Sequence, residues 1–351
     1  MIQNIICVSA TETMIPAIIA LIQAQEARQY RRDRCLRAPR SPERIEGMLF
    51  RHFASAEPPL VALDPQGRVR GYASPTLWEL NDDSSLHAFL TARNGIVRSL
   101  ALPSPQQDDA LAVAEVLLRA QEEAWQRQQT TGEVLRWPWC DTWVEPVILR
   151  LGFMFDSVCA IYPSQPPLSS KPVLLPGYTV RQAEPKDEAT LIGLFEEELH
   201  FHEPYTPFVR ASTRVTQAFH VKLERLWGGY QLEAGTPLVL VVEKKQQVVA
   251  LAECSLLDVS FDDEPGFTPL GRYGCIDNLC VREEVRGQGI GRLLVQAVFA
   301  ALSTVDLDGY ALWYNPDNPL AHQFWRKIGF QPLWCTYQRP HTGPYAQEQR
   351  L

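Results

Sequence analysis

The chain has 351 residues, long for one compact domain and comfortable for two, and its 46% apolar content is enough for ordinary packed cores. Its 33 Lys and Arg against 41 Asp and Glu leave a formal charge of −8, which argues against nonspecific nucleic-acid binding, since that needs a positive field. Eight cysteines are scattered without a Cys-x-x-Cys pair, which reads as reduced, buried thiols in a cytosolic protein.

The N-terminus lacks a basic leader, and the apolar stretch Ile15–Ile22 is far too short to span a bilayer. No signal peptide or membrane span is expected. In the first half, Ala10-Thr11-Glu12 leads into the apolar Ile18–Ile22, and Leu60–Leu63 with Val69–Ala73 reads as strand, turn, strand. The arginines at 28, 31, 32, 34, 37 and 40 read as the polar face of a helix plus a loop. Tyr162–Pro172 is rich in Pro and Ser and lacks periodicity, so it reads as a linker. Boundaries follow at 1–163, 164–176 and 177–351.

The second half opens with a strand at Val180–Gln182. A helix over Asp187–Leu199 is predicted from Leu191, Leu194, Phe195 and Leu199 on one face. A second helix is expected over Arg210–Leu226, then hairpin strands near 238–243 and 247–257. The strand 274–281 feeds the turn Arg286-Gly287-Gln288-Gly289-Ile290-Gly291 and a helix over 289–302. A strand at Tyr310–Tyr314, a helix at Pro319–Ile328 and a strand at Leu333–Gln338 complete the chain.

The glycine turn carries the chemistry. Glycine permits φ > 0 and close backbone approach. Successive N–H groups then point into one concavity, backed by the positive end of a helix. Arg286 and Arg292 add full charges. The spacing is neither a nucleotide P-loop nor a dinucleotide fingerprint. About 25 residues on stand Asn318, Ala321, the aromatic pair Phe324–Trp325, and Lys327 before Gly329–Phe330.

On these two motifs the region from about Tyr178 to Pro340 resembles a GNAT-superfamily acetyltransferase domain. Arg286, Gly289 and Gly291 match the superfamily's Arg/Gln-x-x-Gly-x-Gly/Ala motif, and Asn318 to Phe330 match its second motif. The resemblance implies an α/β fold with a mixed, splayed sheet. It implies acetyl-CoA as cosubstrate, its pyrophosphate cradled by Arg286, Gly287, Gln288, Gly289, Ile290, Gly291 and Arg292. It implies that the strand around Leu279, Cys280 and Val281 receives the pantetheine, with Asn318, Ala321, Phe324 and Trp325 on the cofactor side.

The first half echoes the second. Leu151-Gly152-Phe153 matches Ile328-Gly329-Phe330 at an offset of 177, where Asp141 meets Asn318. Pro59-Leu60-Val61 matches Pro237-Leu238-Val239 at 178, and the two helix starts agree at 173. Two GNAT-like domains in tandem are therefore expected. The place of the phosphate turn in the first half, Pro105–Ala112, has no glycine and carries Asp108 and Asp109. A pyrophosphate would be repelled there, so the first copy is expected to be degenerate and not to bind coenzyme A.

Acetyl transfer to an amine needs a neutral nucleophile, hence a general base. Asp277, on the strand before the turn, is the first candidate and Glu253 the second. The superfamily's usual acid is a tyrosine where this chain has Trp325, and an indole is no acid for a thiolate. Tyr314 or Tyr337 could substitute, or the thiolate could leave unassisted. Asn318 also suits the N-cap of the helix opening at Pro319. The acidic runs Glu196–Glu198 and Asp262–Glu264 would suit a cationic amine, or form a solvated face. His200, His202 and Glu203 have poor spacing for a metal, and none is expected.

The leading expectation is an N-acetyltransferase acting on a small-molecule or peptide amine by direct attack in a ternary complex. The alternative is an acyl-CoA-binding sensor without turnover. Neither the acceptor nor the oligomeric state is legible.

Overall fold

The computed structural model describes residues 5–82, 84–163, 175–229, 232 and 237–340. The expected linker falls largely on 164–174, outside the described residues. The first half runs β1 (Ile6–Ser9), α1 (Ile15–Arg32), α2 (Pro42–Phe53), β2 (Leu60–Leu63), β3 (Val69–Glu79), β4 (Arg93–Ala101), α3 (Ala110–Arg127), β5 (Gly132–Pro138), α4 (Glu145–Arg150) and β6 (Met154–Tyr162). The second runs β7 (Tyr178–Gln182), α5 (Glu188–His202), α6 (Thr213–Trp227), β8 (Leu238–Lys244), β9 (Gln247–Val259), β10 (Gly271–Val281), α7 (Ile290–Ala301), β11 (Gly309–Tyr314), α8 (Pro319–Ile328) and β12 (Gln331–Pro340). The two orders are the same, element for element. The echoes in the sequence are thus echoes of a whole topology.

All twelve strands form one mixed sheet in the order β1-β2-β3-β4-β5-β12-β6-β11-β10-β9-β8-β7. Its centre holds an exchange. β12 lies antiparallel between β5 and β6, with Leu135 opposite Tyr337, and β6 lies antiparallel against β11, with Ala160 opposite Leu312. Each half's last strand therefore pairs with the fifth strand of the other half. Backbone donors and acceptors that a lone half would leave at a sheet edge are satisfied across the middle.

Packing follows the pairing. One apolar cluster runs from Trp125, Leu135 and Val158 of the first half to Leu312, Trp325 and Tyr337 of the second. Connecting segments also cross over. The β9–β10 loop docks on the first half: the Arg37 N–H donates to the Phe267 carbonyl at 2.8 Å, Asp262 pairs with Arg51 at 2.8 Å, and Glu264 meets His52 at 2.8 Å. Asp262 and Glu264 of the acidic run thus meet α2, where Arg51 and His52 stand opposite them. In return, the β3–β4 connection meets α6, where Arg214 pairs with Asp82 at 2.6 Å.

The sheet has two parallel pairs, both short. β4 joins β5 over Asn94–Ile96, and β10 joins β11 over Tyr273–Ile276. Beyond Ile276, β10 continues against β9 alone, so β10 and β11 splay apart. That splay positions the site.

Candidate active site

The splay opens a cleft of about 620 Å³, lined on one side by Leu279–Val281 and Val285–Arg292 and on the other by Tyr314, Asn318, Ala321, Phe324 and Trp325. The turn at its mouth has Gly287 at φ 75° and Gly289 at φ 87°, both left-handed. Gly289 occupies the N-cap of α7 and offers no side chain, so the first-turn N–H groups have no side-chain cap. Ile290, Leu293, Leu294 and Val298 bury one face of that helix and fix its N-terminus toward the cleft. A Cβ at Gly291 would lie 3.2 Å from the Phe324 ring, a tight contact that glycine avoids where α7 approaches α8.

Side chains around the turn are held by neighbours. Arg286 Nε donates to the Val281 carbonyl at 2.9 Å, and its guanidinium carbon lies 4.4 Å from the Phe201 ring centroid. Gln288 accepts from the Tyr178 hydroxyl at 2.6 Å. Arg292 is exposed on the cleft wall. Asn318 is buried, and its Oδ1 accepts from the Leu320 and Ala321 N–H groups at 3.2 Å each, so it is the N-cap of α8. Trp325 is packed edge-on to Phe324 and Phe330. Cys280 turns its side chain into the packing around Leu251 and Phe195 and brings main chain to the cleft.

Carboxylates gather where the strands part. Asp277 sits at a bulge in β10, where the register against β9 shifts between Ile276 and Asn278. It shows surface to the cleft while protein surrounds its other sides. Burial first, then the charge of Glu253, pushes its carboxyl up to about 6 against the pull of Lys222. Glu253 is fully buried behind it, taking Lys222 Nζ at 2.5 Å and the Asn278 amide. Burial works against the Lys222 charge, but the Glu253 and Asp277 carboxylates outweigh it and raise its pKa.

Glu198, near the end of α5, completes the group. Its Oε1 faces the Leu279 N–H at 3.4 Å, and its buried Oε2 has no hydrogen-bond partner. Burial and then Glu253 push this carboxyl up to about 7, while the Leu279 N–H works the other way. His202, whose pKa burial lowers, has Nε2 4.0 Å from Oε1.

Of the tyrosines, Tyr314 lines the cleft with its hydroxyl 3.3 Å from His322 Nδ1, and burial raises its pKa. Tyr337 does not reach the cleft. The strand exchange carries it to β5, where its hydroxyl donates to Glu145 at 3.0 Å.

Sequence reasoning named Glu198 only within the acidic run 196–198, without a role of its own, and missed Lys222. The signal was helical phase. Glu198 follows Phe195 by three, Leu194 by four and Leu191 by seven, all buried, so it lies on the inner face of α5. Lys222 stands in the same relation to Phe219, Ala218 and Val215 on α6.

The matching region of the first half is closed by its own side chains. Asp109, in the N-cap position of α3, takes Arg70 in a bidentate pair at 2.8 and 2.9 Å. Gln25 from α1 donates to the Leu100 carbonyl at 2.8 Å and accepts from the Leu102 N–H at 2.7 Å, spanning the end of β4. Asp141, the counterpart of Asn318, is buried beneath Gln29 at 2.9 Å and Arg32 at 2.6 Å. The space left beside Gln25 and Gln29 is about 40 Å³. Much of the basic run at 28–40 is thus spent internally.

Among the described residues, no group of three or more His, Cys, Asp or Glu is placed to hold a metal ion, and no helix is long and apolar enough to cross a membrane.

Residues 197–330 match the family model described as acetyltransferase (GNAT) family. Among solved structures, a GCN5-related N-acetyltransferase from Sphaerobacter thermophilus is similar over 96% of this chain and 95% of its own, at 16% identity and a TM-score of 0.54. A tandem GNAT protein from the clavulanic acid biosynthesis pathway aligns over 97% of this chain and 99% of its own, at 15% identity and a TM-score of 0.45. No curated protein matches the sequence. Residues 197–330 thus match the GNAT family, the fold extends across nearly the whole chain, and acyl transfer is the class of chemistry that the family match supports.

Proposed function

We propose that this protein is an N-acetyltransferase that moves an acetyl group from acetyl-CoA to a primary amine by direct attack in a ternary complex. The second half does the chemistry, and the first is a degenerate copy that holds no coenzyme A. One observation carries the reading: a turn of uncapped N–H groups and a splayed strand edge share one cleft with the carboxyl of Asp277.

The roles follow from the residues. The N–H groups from Gly289 onward, with Arg292, suit a pyrophosphate. Leu279 and Val281 suit a pantetheine laid along the strand as an added edge. Asp277 takes the amine's proton, and a value of about 6 leaves it mostly ionised at neutral pH and still basic. The Asp277 carboxylate in the cleft favours a cationic acceptor, small or peptidic. Eight free thiols suit a reducing compartment such as the cytoplasm.

Titration calorimetry with acetyl-CoA tests the reading. One site per chain is expected, abolished by Gly289→Glu, which sets a carboxylate among the N–H groups at a left-handed position. Two sites would refute the closed first half. Affinity unchanged in Gly289→Glu would move the cofactor elsewhere. A panel of small amines and peptide N-termini, read by thiol release, then finds the acceptor.

Trp325 favours a second reading, an acyl-CoA sensor without turnover, because an indole buried beside Phe330 is no acid. Thiol release with any amine in the panel decides against it.

A further inference from the structure

The proposed transfer lacks a proton donor at its usual place. Trp325 is packed into the core, and its indole N–H is no acid for a thiolate. Tyr314 lies near the end of the splayed β11 with its hydroxyl against His322. Glu198 is different. It reaches into the cleft from α5, its Oε1 on the Leu279 N–H, the edge where β10 has left β11. Its Oε2 is buried without a partner. Protonated there, the carboxyl holds its hydrogen with no acceptor among the described residues, beside the strand edge proposed to receive the pantetheine.

Resting on the reading above, we propose that Glu198 is the proton donor of the transfer, passing its carboxyl hydrogen to the sulfur that leaves with coenzyme A. The amine nitrogen bonds to the carbonyl carbon. The carbon–sulfur bond breaks with its electron pair on sulfur, and the Glu198 proton joins that sulfur to give the free thiol. The proton released by the amine goes to Asp277 and then to solvent. His202, 4.0 Å from Glu198, returns a solvent proton to it.

The surroundings keep this carboxyl an acid. The α5 face contributes His202, which burial holds toward its neutral form. From β9, Glu253 disfavours a second carboxylate even while Lys222 of α6 pairs with it, and from β10 come Asp277 and the Cys280 thiol. Arg286, a cation on the same wall, is turned to the Val281 carbonyl and the Phe201 ring, and Arg292 is exposed beside the glycine turn. A carboxyl near 7 suits proton transfer at neutral pH.

The Leu279 N–H is the one contact that favours the Glu198 carboxylate. A thioester carbonyl arriving on this edge competes for that donor, so acetyl-CoA binding drives Glu198 further toward the acid. Calorimetry at pH 7.5 in two buffers of different ionisation enthalpy counts the protons taken up. Acetyl-CoA is compared with ethyl-CoA, a thioether of similar shape without the carbonyl. The expected result is a larger proton uptake for acetyl-CoA, with the difference lost in E198Q while both ligands still bind. A carboxylic-acid carbonyl band should also appear in infrared difference spectra of the acetyl-CoA complex and vanish in E198Q. Equal uptake for the two ligands in the unsubstituted chain, or a difference that survives E198Q, would overturn the role of Glu198 and leave the cofactor site standing. Failure of both ligands to bind would overturn both. The two-ligand comparison needs no variant, so it decides even if E198Q does not fold.

Discussion

Asp277 and Glu253 share one neighbourhood and one counterion, Lys222, yet they are placed for different work. Glu253 spends its oxygens on Lys222 and Asn278 and shows no surface, whereas Asp277 faces the cleft. A base must be ionised, and a carboxyl raised to about 6 is ionised above that value and protonated below it. Turnover should therefore climb with pH through about 6, collapsing on the acid side, and fall again on the alkaline side as Glu198 loses its proton, read from kcat/KM against pH. Asp277→Asn should lower kcat by about 10²–10⁴-fold, flatten the acid limb, and leave the acetyl-CoA dissociation constant nearly unchanged. Unchanged turnover would reject the assignment. Glu253→Gln removes a charge that raises Asp277 and frees Lys222 to act on it, both lowering its pKa. The acid limb should then move to lower pH, and a shift the other way would contradict this account of the pair.

At the scale of elements, two helix N-termini face one cleft under opposite arrangements. α7 begins at a bare left-handed glycine, so its N–H groups stay open to an anion, while α8 begins at Asn318, whose side chain satisfies two of them. Asn318→Ala should cost about 1 kcal/mol, the usual worth of such a cap. For a cooperative chain of this size that is a fall in Tm of about one to two degrees. If Asn318 serves the cofactor as well, acetyl-CoA affinity drops alongside, and thermal melts with and without ligand separate the two effects. These elements were legible in the sequence because their stops are local: Gly289, Gly329 and the Asn318-Pro319 pair mark them without reference to the rest of the chain. Lys222 escaped and Glu198 was not separated from the run Glu196–Glu198, because their burial depends on which face of α5 and α6 the sheet covers.

The whole molecule is bound by the exchange of β6 and β12. Remove either half and the other loses a central strand: β5 would lose its neighbour β12, and β11 would lose β6. A sheet edge exposed in that way is prone to aggregation. Residues 1–163 or 175–351 expressed alone should be insoluble or molten, whereas the two coexpressed should copurify one to one with the unfolding cooperativity of the intact chain. A soluble second half that binds acetyl-CoA by itself would refute the interdependence. The exchange gives the first half a structural part in the second. Its β6 supports β11, the strand that forms the far wall of the working cleft, and its β3–β4 connection braces α6, which carries Lys222.

By itself the sequence determined the strands and helices of the second half, the doubling of the pattern, the glycine turn before α7 and the loss of that turn in the first half. Each of these is written in neighbouring residues, as period, turn chemistry or charge. Only the tertiary structure decided which last strand pairs with which fifth strand, that Asp262 and Glu264 dock on α2, that Tyr337 faces Glu145, and that Glu198 enters the cleft. β6 and β12 are both strands of ordinary apolar character, and local pattern does not distinguish β5 from β11 as a partner. That choice is made by hydrogen bonds and buried area summed over the whole sheet, and the positions of distant carboxyls follow from it.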